Sequence, residues 1–270
     1  MKTKKEKLRA VLSHIICDTT CVLNVIKEIQ TGFSTKFRIE INNEDESMGS
    51  RSNHYVLIGM SGLSKMYDIC NQFFSRYKFD YNTCRIPVLH CDIDINIDIW
   101  DLDDSIFPDS FLDGENIGPV DSLVINAFAY TLYHEFGHVK YDEDSKPPME
   151  KEWKADLFAM EVIKADLSSK PNVQIDKNPI FLGALFEFIH ILNISSFYDL
   201  QVDMSHPHPI ERLYLLLEYF HIENNSYLWE YVYDEISQWL NANHMLMTYE
   251  KFNSISIKDK FLDAYHRFKK

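Results

Sequence analysis

The sequence predicts an α+β fold with a small N-terminal sheet and a mainly helical C-terminal half. Three observations carry this expectation. Short runs of alternating β-branched residues lie upstream of residue 118. Long apolar segments with helical spacing follow it. A hydrophobic content of 46% over 270 residues supplies a core for one large domain or two small ones. The turn NIGPVD separates an N-terminal α/β part, 1–118, from a helical part, 119–270, within what reads as one compact unit.

In chain order, a starting helix is expected from about Lys5 to Ile29, with Cys17 and Cys21 one turn apart on an apolar face. KFRIEI (36–41) and HYVLIGM (54–60) read as strands, separated by the polar loop NNEDESMGSRSN, and residues 62–78 read as a helix. In CDIDINIDIW, Ile93, Ile95, Ile97 and Ile99 alternate with Asp92, Asp94, Asn96 and Asp98, which is the pattern of a strand with one apolar and one acidic face. It is no calcium loop, because counting from Asp92 puts Ile97 at the glycine position and Asp103 at the twelfth. This strand is the candidate to receive an extended substrate segment along a sheet edge. Its aspartates would then favour basic segments, or would merely block unwanted pairing.

Beyond Gly118 and Pro119, the stretch SLVINAFAYTLYHEFGHVKY (122–141) is apolar nearly all round and reads as a buried helix capped by Asp121 or Ser122. Pro147 and Pro148 open a second helix, MEKEWKADLFAMEVIKAD. Helical periodicity returns at 179–195, 209–223, 226–245 and 256–269.

The chemistry sits in the first two of these helices. Residues 134–138 read HEFGH. Side chains four apart on a helix lie one above the other, so His134 and His138 project toward one point and can grip a zinc ion. Glu135 lies beside that point, placed to take a proton from water as a general base. A catalytic zinc needs a third protein ligand and an open position. Glu152 is the expected third ligand: it shares a face with Ala155, Asp156 and Ala159, and the alanines allow close approach. Asp156 is then placed to accept the outer N–H of a liganding histidine. The alternative, with Asp156 itself as ligand, leaves Glu152 without a role. A site with a third histidine six residues past the motif is excluded by Tyr141 and Asp144. In SHPHPIER (205–212), two prolines stiffen the approach to a helix, so that His206, His208 or Arg212 can donate to an oxyanion.

The ordered set HEFGH, EWKAD and the histidine–proline element resembles the gluzincin peptidases of the CAAX-protease and HtpX type. It is most similar to the Lit family of phage-exclusion peptidases, over roughly residues 120–220. That resemblance implies a zincin-like fold with zinc held by His134, His138 and Glu152. It also implies Glu135 as general base, Asp156 as partner to a ligand, and His206 or its competitor His208 as the group stabilising the transition state. The implied activity is triggered cleavage of a host protein, elongation factor Tu being the known type of target, with an activator from the phage or another protein. Two other readings stand beside it. One is a regulatory zincin cleaving a repressor, similar to the ImmA and IrrE proteins, although no helix-turn-helix is evident. The other is a non-catalytic zinc-stabilised interaction module, in which Glu135 has no use.

The remaining composition narrows the partners. A formal charge of −14 argues against nucleic acid. Five cysteines, at 17, 21, 70, 84 and 91, lack zinc-finger spacing and fit free thiols in a reducing cytoplasm. The longest apolar run, 180–192, is too short to span a bilayer and carries Glu187 and His190. The basic N-terminus lacks the apolar core of a signal peptide, so a cytoplasmic protein without a membrane partner is expected.

Overall fold

A computed structural model describes residues 3–17, 19–33, 38–42, 50–52, 55–59, 62–77, 84–85, 96–99, 107–141, 146–195, 206–244 and 256–268. Helix predominates among them. They divide into two compact units, Met1–Glu187 and Phe188–Lys270, and the turn near residue 118 falls inside the first.

The first unit opens with α1 (Lys4–Cys17) and α2 (Thr20–Phe33) rather than one continuous helix. Thr19 makes the break. Its hydroxyl donates to the Ile15 carbonyl at 2.8 Å and its N–H to the Ile16 carbonyl at 3.2 Å, closing α1, while its own carbonyl accepts the Leu23 N–H that begins α2. Threonine hydroxyls compete for local backbone groups in this way. Cys17, at the end of α1, is disulfide-bonded, which corrects the expectation of a free thiol there. Cys70 is free and buried.

Strands β1 (Arg38–Asn42), β2 (Ser50–Ser52), β3 (Tyr55–Gly59) and, further on, β5 (Asn96–Ile99) form one sheet in the order β2-β3-β1-β5. β1 runs parallel to β3 and β5, and β2 antiparallel to β3. Val56, Ile39 and Ile97 stand in register across three strands and are all buried, so the alternating pattern has its apolar side inward at Ile97. Residues 92–95 of the expected strand lie outside the described residues. Helix α3 (Leu63–Tyr77) follows β3, and the short strands β4 (Cys84–Arg85) and β6 (Asn116–Ile117) pair with each other.

Helix α4 (Pro119–Lys140) is the centre of this unit. It packs against α1, α2, α3, β2, β3 and the following helix α5 (Pro148–Ser169). Every residue from Leu123 to His138 is buried, which is why the sequence shows no polar face there. The helix begins earlier than expected, with Gly118 as N-cap and Pro119 at the first position, in place of a cap by Asp121 or Ser122. Asp121 instead accepts the Leu112 N–H at 3.1 Å, and Lys7 donates to the Leu112 and Gly114 carbonyls at 2.7 and 2.6 Å. These bonds hold Leu112 in its left-handed conformation, φ 49°. Burial pushes the Asp121 carboxyl up, against the Leu112 and Gly118 N–H groups that favour its charge.

Two glycines mark where helices meet backbone to backbone. A Cβ on Gly137 of α4 would lie 2.7 Å from Ala155 Cα and 2.8 Å from the Ala155 carbonyl oxygen on α5. A Cβ on Gly183 would lie 2.4 Å from the Asn126 carbonyl carbon. Gly183 belongs to α6 (Pro179–Ile194), which Asn178 starts by accepting the Ile180 and Phe181 N–H groups at 3.0 Å each. No described helix is long and apolar enough to cross a membrane.

The second unit contains α7 (Pro209–Tyr219), α8 (Tyr227–Ala242) and α9 (Ile257–Phe268). Tyr214 stacks on Phe261 and Tyr265, with ring centroids 5.9 Å apart in each pair. Helix α7 stops short of residue 223 because His221 turns left-handed, φ 52°, and the Ile222 N–H reaches back to the Leu217 carbonyl.

Candidate metal centre

The crossing of α4 and α5 builds the site. Glycine at 137 and the small alanine at 155 let the two backbones approach closely, so groups one turn away on either helix come within contact. His138 Nε2 lies 3.0 Å from Glu152 Oε1, and His134 Nε2 lies 3.3 Å from Glu152 Oε2. The two imidazoles stand edge to face with centroids 4.6 Å apart. All three residues are buried, and one ligand atom from each falls within 4.8 Å of the others.

Behind this group stands Asp156, whose side chain is wholly buried. Its Oδ1 lies 2.9 Å from His134 Nδ1. With both ring nitrogens protonated, His134 donates from Nδ1 to Asp156 and from Nε2 to Glu152; a bound metal would take the place of the Nε2 proton. Burial pushes the Glu152 carboxyl up, but hydrogen bonds and charge from His134 and His138 outweigh it and hold the group well below its usual range. Two buried carboxylates beside two imidazoles call for positive charge between them. A divalent cation held by His134, His138 and Glu152 would satisfy that need.

Glu135 is also buried, at 6% exposure. Helix geometry sets it about 100° from His134 and about 60° from His138 around the α4 axis. Glu135 and the two histidines therefore share one side of the helix.

The residues of the later histidine–proline element belong to the second unit. His206 is exposed and His208 half-buried. His208 is the N-cap of α7, its Nδ1 accepting the Ile210 N–H at 3.1 Å, and its ring meets the edge of Trp239. The guanidinium of Arg212 lies over the Phe188 ring, 4.4 Å from its centroid, and is buried. A helix cap made by histidine has no clear signature in sequence, since serine, threonine and aspartate dominate that position. Gly137 belongs to the site through the helix crossing. Its signal was available: a glycine deep inside an apolar helix costs about 1 kcal/mol relative to alanine, which close backbone approach explains.

The chain matches the protein-family model Peptidase U49 over residues 98–232. No curated protein and no solved structure matches the chain. The matched stretch is half of the sequence and takes in α4, α5 and the histidine–proline element. With that coverage the chain belongs to the peptidase U49 family.

Proposed function

We propose that the chain is a zinc-dependent endopeptidase of the gluzincin type that cleaves a cytoplasmic protein in triggered, Lit-like phage defence. The observation that carries the metal-dependent part is the buried His134–His138–Glu152 group, with Asp156 behind His134 and Glu135 alongside. The family match supports proteolysis in general. The phage-defence role, and a translation factor such as elongation factor Tu as target, rest on the resemblance of HEFGH, EWKAD and SHPHPIER to Lit-type peptidases.

His134, His138 and Glu152 would hold the metal. Zinc, when bound, acidifies water and polarises a peptide carbonyl. Glu135 accepts the proton of the attacking water and returns it to the leaving amine. The histidine–proline element, with His206, His208 and Arg212, is the candidate source of an oxyanion donor, on the resemblance to Lit-type peptidases. An extended substrate segment would add alongside β5, the sheet edge nearest the acidic alternation in sequence.

Asp156→Asn tests the support given to His134. The amide can no longer serve as a charged acceptor, and zinc affinity is expected to fall about 10- to 100-fold. Competition against a chromophoric chelator measures it. The function itself is tested by expressing the parent chain and Glu135→Gln in a bacterial host, with and without phage infection, and comparing protein N-termini across the proteome. A new terminus confined to the parent identifies the target. Identical termini under every trigger would speak for a zinc-stabilised interaction module instead.

A further inference from the structure

Asp156 receives a second hydrogen bond, from a residue that the site as described does not use. Tyr130 lies one helical turn before His134 on α4 and is 1% exposed. Its hydroxyl donates to Asp156 Oδ1 at 3.4 Å, the oxygen that also faces His134 Nδ1 at 2.9 Å. Two donors from the same face of α4 thus converge on one oxygen of a carboxylate carried by α5. A carboxylate with one donor can swing about its terminal torsion, which is broad for aspartate. With two donors it has one preferred setting. We infer that Tyr130 is a positioning residue for the metal centre, fixing the Asp156 carboxylate so that His134 keeps its Nδ1–H tautomer and presents Nε2 to the ion.

The chain of contact is Tyr130 Oη, Asp156 Oδ1, His134 Nδ1, and then His134 Nε2 toward Glu152. It joins the two helices one turn from the Gly137–Ala155 crossing. The tyrosine bond is long, so its effect is smaller than that of Asp156 itself.

This inference rests on the reading of His134, His138 and Glu152 as metal ligands. Its test is a double-mutant cycle on the full chain, with zinc affinity and the visible absorption of the cobalt(II)-loaded protein as readouts. Tyr130→Phe keeps the ring and removes only the hydroxyl. Zinc affinity is expected to fall about 3- to 10-fold, the cobalt spectrum to change, and melting to stay near that of the parent. In an Asp156→Ala background the same substitution is expected to change nothing further. Unchanged affinity and spectrum in Tyr130→Phe would overturn the inference alone, leaving the metal site in place. An equal loss in both backgrounds, or a variant that fails to fold, would also overturn it by showing that the hydroxyl serves the core. A parent chain that takes up no metal would overturn both readings together.

Discussion

Replacing Glu135 by glutamine is expected to lower hydrolysis of the target by about 10²- to 10⁴-fold, the usual contribution of a positioned general base. Glutamine has the same shape but cannot take the proton. His134, His138 and Glu152 are untouched, so zinc content and melting temperature should match the parent. The separation of these readouts is the point of the experiment. A substitution at His134 would remove the metal and the activity together, whereas Glu135→Gln removes only the base. Initial rates on the identified target, with metal analysis of the same sample, decide it. Parent-like turnover in the variant would mean that another group takes the proton.

Gly137→Ala carries the second large effect, and it acts through geometry alone. The added Cβ would stand 2.7 Å from Ala155 Cα and 2.8 Å from its carbonyl oxygen, both backbone atoms that cannot rotate away. The helices must separate. Overpacking of this kind costs about 1–3 kcal/mol, and the gain of about 1 kcal/mol in helix propensity offsets only part of it. Separation also draws Glu152 away from the two imidazoles it now meets at 3.0 and 3.3 Å. A loss of zinc affinity of about tenfold or more is expected, since disturbed support of a ligand alone costs that much. Calorimetric melting and zinc titration measure the two effects. A variant with parent-like zinc affinity would show that the crossing does not set the ligand geometry.

Much of this site was legible before the structure. His134 and His138 are placed by a helix period alone, and Glu152 with Asp156 by a second helix whose small residues promise close packing. The contact between helices was harder to read. It depends on Gly137 meeting the backbone at Ala155, a long-range fit that neither segment states by itself. Tyr130 was hidden for the same reason, because an aromatic residue in an apolar helix reads as core until its hydroxyl is seen to have a partner. Helix ends shifted where local chemistry differed from the usual caps. Gly118 with Pro119 started α4 ahead of Asp121, Thr19 split the first helix, and a left-handed His221 ended α7 early. The strand at β5 was legible from its isoleucines, of which Ile97 packs inward. Composition and periodicity name no substrate, since recognition depends on surfaces assembled from distant segments.

The most direct measurement is zinc stoichiometry on chelator-stripped, refilled protein, made on the parent chain and on His134→Ala and Glu152→Ala. A metal centre at the α4–α5 crossing predicts one tightly held ion per parent chain and its loss in both variants. A parent chain that binds no ion in stoichiometric amount, or variants that retain it, would contradict a metallopeptidase centre at these residues.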